Sequence, residues 1–180
     1  MAVGRRGHGK ARCGGDKIGP NPTDRAKNGV KRSILVEKEG GPLAAIVAPA
    51  NRHDTKLLEE TLEAIVIERP ARTDGAPQHL CLDKGYDNPT GHAGVEAHGY
   101  IGHIRPIGEK PIAPEERTYP PRRWVVEACL SWLSRWRGLL VRYEKKSSNY
   151  RGVMQLACGL LWYRRLWRLR TAIETAEPEF

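Results

Sequence analysis

The chain is short of acid, of aromatic side chains and of long apolar runs. Asp and Glu total 21 against 30 Lys and Arg, which leaves a net charge of +9 and a pI near 9.6. That imbalance favours a polyanionic partner, nucleic acid first and an anionic membrane surface second. The four cysteines (Cys13, Cys81, Cys129, Cys158) form no Cys-x-x-Cys pair and have no histidine at ligand spacing, which argues against a zinc finger or a disulfide framework. Cys81 and Cys158 sit in apolar runs and read as small buried hydrophobes. The longest apolar window, Val153 to Tyr163, is too short and too interrupted to span a bilayer. The basic N-terminus "MAVGRRGHGKARCGG" lacks the apolar stretch of a secretory signal. No P-loop, nucleophile elbow or dinucleotide fingerprint is evident. A cytoplasmic protein with no membrane partner is the expectation.

What remains is an ordinary globular composition, 39% hydrophobic and 28% charged over 180 residues, enough for one domain with its own core. Residues 1–29 are rich in Gly, Arg, Lys and Pro without any period, and read as a basic flexible leader closed by the turn cluster "GPNPTDRAKNG". Two apolar runs either side of "KEGGP" predict a β-hairpin. In "NRHDTKLLEETLEAIVIERP", Asp54 can cap a helix whose Leu57, Leu58, Leu62, Ile65 and Val66 recur at helical spacing. "QHLCLD" predicts a strand, "NPTGHAGVEAHG" a short helix and "YIGHIRP" a further strand. A Pro-rich loop precedes a long helix over 122–143, and a last helix spans about 149–170. The sum is an α/β domain over 30–170, with one mixed sheet, flanking helices and a tail at 171–180.

Two carboxylates stand where such a fold could use them. Asp83 ends the predicted strand at 79–83, and strand ends are where α/β sheets bind ligands. Glu127 lies early in the long helix and borders its apolar arc on the Leu130 side. Oxygen ligands on rigid elements suit Mg²⁺ or Mn²⁺, and two such ions can activate a nucleophile and stabilise a leaving oxygen at a phosphodiester. Spacing alone leaves Asp83 as a cap or turn residue and Glu127 as a solvated helix residue.

The motifs "GPNPTDRAKNGVKRSILVEKEGGPL", "ANRHDTKLLEETLE", "QHLCLDKGYDNP", "GHIRPIGE" and "RRWVVEACLSWLSRWRGLLVRYEKKSSNY" resemble, in order and spacing, the catalytic region of bacterial insertion-sequence transposases of the DDE type. The resemblance runs from about Gly14 to Arg165. It implies a ribonuclease H-like fold, here with its first strand missing or degenerate. It further implies a two-metal Mg²⁺ or Mn²⁺ site that cuts transposon ends and joins them to target DNA. On that resemblance Asp83 and Glu127 are the second and third catalytic acids and metal ligands, and Tyr119, Arg123 and Glu127 form the signature around the third. Relatives carry a basic residue after that glutamate, whereas Ala128 follows here. The first acid aligns near Arg5 or Arg6, in a stretch "GRRGHGKARC" without Asp or Glu. Asp16 and Asp24 are nearby candidates in Gly/Pro-rich loop sequence, where Asp24 and Arg25 read rather as part of the turn before the hairpin. The expectation is a truncated transposase with little autonomous activity, needing an upstream-encoded segment and forming a homo-oligomer when complete; the alternative is a non-catalytic DNA-binding remnant.

Arg122, Arg123, Arg135, Arg137, Arg142, Lys145 and Lys146, interleaved with Trp and Tyr, are candidate phosphate contacts, and Lys84 a further one beside Asp83. Trp132 and Trp136 fall on the apolar stripe and read as core. His53 in "NRHD" reads equally as a phosphate contact, a metal-site neighbour or part of a turn.

Overall fold

The two apolar runs either side of "KEGGP" form the expected hairpin, and the rest of the sheet is built on it. The computed structural model describes residues 1–71, 73, 75–108 and 123–176, and their side chains apart from 2–7, 123, 175 and 176. Strands β3 (Asn28–Val36) and β4 (Pro42–Pro49) run antiparallel, from Val30 opposite Pro49 to Leu35 opposite Ala44. In the connecting turn, the Glu37 carboxylate accepts from the amides of Glu39 and Gly41 at 2.9 and 2.8 Å. Gly41 admits the indole of Trp162, since a Cβ there would lie 2.3 Å from the ring. That indole donates from Nε1 to the Pro42 carbonyl at 2.8 Å.

A strand is present where the first was expected to be missing or degenerate. Ala2–Ala11, inside what composition suggests is a flexible leader, form β1 at the centre of the sheet. It runs antiparallel to β3 along one edge, from Ala2 opposite Val36 to Lys10 opposite Gly29. Along its other edge β1 pairs in parallel with β5 (His79–Leu82) at Ala2 and Cys81. Further along that edge it pairs with β7 (Val141–Arg142) at Lys10 and Ala11. A strand so poor in apolar residues is fixed by its neighbours' ladders rather than by its own propensity. β2 (Gly19–Pro20) adds to the start of β3. β6 (Ile101–Ile104) runs parallel to β5 on the far side. The main path is therefore β4-β3-β1-β5-β6, a mixed sheet in which β1, β4, β5 and β6 share one direction and β3 opposes them.

Period-two alternation sorts side chains onto two faces. Val30, Ile34, Val36, Val47 and Cys81 meet α3 (Arg123–Leu133) and α5 (Ser147–Ala176) through Val125, Val126, Cys129, Leu130 and Met154. Leu35, Ala44, Leu80 and Leu82 meet α1 (Thr55–Glu63) and α2 (Pro89–Ala97) through Leu58, Leu62 and Val95. The result is a helix–sheet–helix sandwich.

Two helices also differ from the sequence-based expectation. α1 stops at Glu63, so Val66 is 76% exposed. Asp54 makes no capping hydrogen bond with its side chain and instead pairs with buried Lys31 at 3.2 Å. The long helix over 122–143 is divided into α3, a short α4 (Arg137–Leu140) and β7. Ser134 sits at the break, its hydroxyl donating to the Leu130 carbonyl at 2.8 Å and accepting from buried Arg32 at 3.1 Å. Such side-chain competition for a helical carbonyl weakens the next turn.

The fold sets the reactivity of its thiols. Burial pushes Cys129 up to about 12 and Cys158 up to about 11, whereas Cys13 is exposed. Because the thiolate is the nucleophile, iodoacetamide at pH 8 should modify Cys13 in the native protein and Cys129 and Cys158 only after denaturation. Peptide mass spectrometry reads this out, and native labelling of Cys129 at the rate of Cys13 would contradict the packing.

Candidate active site and nucleic-acid interface

Asp83 follows β5 in extended conformation (φ −75°, ψ 157°), so the alternation that points Leu80 and Leu82 at α1 and α2 turns Asp83 with Cys81 toward the α3 face. Its carboxylate accepts from the Lys84 amide at 2.8 Å and caps the single 3₁₀ turn Lys84–Tyr86. Glu127 is exposed on α3, beside Leu130, which packs in the cluster that contains Cys81. The two carboxylates therefore belong to elements on the same side of the sheet.

The neighbouring strand carries no third acid at this level. Extending the register of Ala2 with Cys81 by two residues sets Gly4 beside Asp83. Between Gly4 and Gly7 the ladder with β3 slips by one residue, a bulge that holds Arg5 and Arg6. Asp16 is committed elsewhere. Its carboxylate accepts from the Ser147 amide and hydroxyl at 2.5 and 2.6 Å and from Arg142 at 3.0 Å, at the start of α5. The Ser147 hydroxyl chiefly holds that carboxyl below the ordinary range; desolvation, next in weight, opposes it, and the Ser147 amide and Arg142 add to the lowering. Asp24 lies 3.9 Å from Lys10. Among the described residues no group of three or more His, Cys, Asp or Glu side chains could hold a metal ion.

The candidate phosphate contacts separate into two kinds. Lys84, Arg135, Arg137, Lys145 and Lys146 are exposed. Arg142 is a correction: its side chain is fully buried, donating to the Glu144 and Lys145 carbonyls at 2.7 and 2.9 Å as well as to Asp16. It ties β7 and the loop before α5 to the segment after β1. Gly15 completes this junction, since at φ +126° it lies where a Cβ would be 2.2 Å from the Lys145 carbonyl. Tyr119 and Arg122 lie outside the described residues, as does the side chain of Arg123. Trp132 and Trp136 are half-buried against the core, 5.7 Å apart.

Two linkages escape sequence inspection because they join residues far apart in the chain. Buried Lys31 donates to the Arg52 carbonyl at 2.5 Å and pairs with Asp54, which clamps the turn after β4. Asn88, whose Oδ1 caps α2 by accepting from the Gly91 amide, donates through Nδ2 to the Gly85 carbonyl and to Thr55 Oγ1 at 3.2 and 3.3 Å. Thr55 Oγ1 in turn lies 3.0 Å from His53 Nδ1. Elsewhere, an open cleft of about 430 Å³ lined by His8, Lys10, Arg12, Thr23 and Asp24 lies toward the other end of β1. It sits about 20 Å along the strand from Gly4, at roughly 3.3 Å per residue.

The described residues form an α/β domain with a mixed sheet, two carboxylates on elements of one side and several exposed cations. Residues 4–162 match the family model described as Transposase DDE domain, and the chain belongs to that family. A Burkholderia cepacia protein named as a transposase for insertion sequence element IS402 is 34% identical over 164 residues, covering 87% of this chain and 74% of its own length. No solved structure matches at a significant level.

The internal arginine gives a prediction. Arg142→Ala should cost about 3 kcal/mol of stability through an unfilled cavity and unsatisfied carbonyls. In a chain of this size that lowers Tm by roughly 6–12 °C. DNA affinity of the folded variant should stay within about twofold of wild type, whereas Lys146→Ala should leave Tm unchanged. Thermal unfolding monitored by circular dichroism, with binding measured below Tm, separates the two behaviours.

Proposed function

We propose that the chain is a transposase that engages DNA through the surface bearing Asp83, Glu127 and the cations Lys84, Arg135, Arg137, Lys145 and Lys146, with Arg123 at the start of α3 and Arg122 preceding it in the sequence. The observation that carries this reading is the family match over residues 4–162, combined with a carboxylate at the end of β5 and another on the helix packed over that face. A ribonuclease H-like fold is supported by the strand order β4-β3-β1-β5-β6, with only β3 reversed. The family reaction is metal-dependent strand cleavage and transfer, in which Asp83 and Glu127 are the carboxylate ligands.

Mg²⁺ or Mn²⁺, when bound, supplies Lewis-acid activation of the phosphodiester and of the attacking oxygen. The described donors do not fit a full two-ion centre. Two carboxylates are at hand, the Asp83 side chain already accepts from the Lys84 amide, and the bulge beside it holds two arginines in place of an acid. No cleavage step is therefore assigned to this set. Its own residues do something simpler: the cations bind and orient the phosphate backbone, and the strand-end turn holds Asp83 extended toward it. Autonomous strand cleavage is accordingly weak or absent.

Fluorescence anisotropy with a short labelled duplex tests the first part. Each phosphate neutralised contributes about −0.9 to the log–log salt slope, so five exposed cations predict a slope of roughly −4 to −5. Binding that ignores salt would remove DNA as the partner. In parallel, plasmid carrying the element's ends should be nicked no faster than background with Mg²⁺ or Mn²⁺, and Asp83→Ala should leave binding intact. Rapid metal-dependent cutting by the purified chain would overturn the weak-activity reading.

A further inference from the structure

The turn between β4 and α1 holds an exposed histidine whose Nδ1 faces the hydroxyl and amide of Thr55. Asn88 Oδ1 accepts from the Gly91 amide, which fixes the orientation of its side-chain amide and makes Nδ2 the donor toward Gly85 and Thr55. Thr55 Oγ1, accepting from Asn88, has one proton to give, and its neighbour at 3.0 Å is His53 Nδ1. The Thr55 amide points at the same nitrogen from 3.4 Å. With Nδ1 receiving, the neutral ring carries its proton on Nε2. The imidazole is exposed and flanked in sequence by exposed Arg52 and Lys56.

The backbone beneath it is equally constrained. Lys31, inserted from β3, grips the Arg52 carbonyl and the Asp54 carboxylate on either side of His53. The relay from His53 through Thr55 and Asn88 ends at Gly85, two residues after Asp83. β4 and β5 also run in the same direction, so the turns that follow them emerge toward the same end of the sheet. The inner nitrogen serves the first turn of α1, and the exposed imidazole presents its outer nitrogen outside this network.

We propose that His53 is a phosphate-contacting residue of the DNA-binding surface, donating a neutral Nε2–H to a backbone phosphate, with Thr55 and Asn88 as its positioning residues. This rests on the DNA-binding reading above and adds to it a contact that carries no charge. A neutral donor strengthens binding without displacing a counterion, whereas each lysine or arginine contact adds to the salt slope.

The test uses the full chain, a short labelled duplex and a KCl series. His53→Ala should weaken binding about tenfold, the worth of one hydrogen bond to a charged group, with the salt slope and Tm unchanged. His53→Gln, which offers an amide donor near the same point, should recover most of the loss. Thr55→Val should give an intermediate loss, and long-range ¹H–¹⁵N spectra should show the single Nε2–H tautomer of wild type giving way to a mixture. The proposal falls if His53→Ala binds within twofold of wild type, if its slope becomes shallower by about one unit, or if Gln fails to rescue. Wild-type protein that shows no salt-dependent DNA binding would sink the DNA reading itself, and the histidine contact with it.

Discussion

β1 divides its two backbone edges among three partners: β3 along one, then β5 and β7 in succession along the other. Without it the β5–β6 pair would join the hairpin only through side chains, Leu80 and Leu82 against Leu35 and Leu43. The position of Asp83 depends on this strand, because β5 meets the rest of the sheet through β1. The junction at Asp16, Gly15 and Arg142 depends on it as well, since it hangs from the end of β1 and locks the start of α5. A segment rich in Gly and Arg loses much conformational freedom in becoming a strand. It can do so only where both edges are paired.

That dependence explains what could be read in advance. The β3–β4 hairpin, β5, α2 and β6 follow from apolar runs bounded by turn residues, which are local signals. β1 has no such signal, because its order comes from neighbours distant in sequence, so composition alone reads it as a leader. The break after α3 was hidden for a related reason: the apolar stripe continues through Trp136 and Leu139, and only the contact of Ser134 with Arg32 from β3 shows where the helix stops. Asp83 and Glu127 were legible through motifs. Their shared face follows from strand alternation and the register of α3 on the sheet.

Net charge overstates the surface available to DNA. Arg32 and Arg142 are 1% exposed and Lys31 is 6% exposed, and each serves the interior. Arg32 buttresses the end of α3, Arg142 staples β7, and Lys31 clamps the turn before α1. Burying a cation is costly unless it is hydrogen-bonded, and each of these meets a carbonyl, hydroxyl or carboxylate supplied by another element. Arg165, which binds Glu37 and Glu39 on the hairpin turn, joins them in a structural role. Arginine-rich sequence thus conceals two populations, and only packing tells them apart.

The turns after β4 and β5 show how these populations meet near the candidate site. Lys31, a buried cation, fixes the backbone of the first turn, while Asn88 fixes the second and reaches across to Thr55. The segment carrying His53 and the segment carrying Asp83 are therefore linked by hydrogen bonds rather than by covalent proximity. Rigid spacing matters most for a surface that must fit a regular array of phosphates, since each contact ordered beforehand loses less entropy on binding. The strand beside β5 carries a bulge between Gly4 and Gly7, and this frame is built without it. The exposed cations and the two carboxylates are different residues, so a change in one set leaves the other in place.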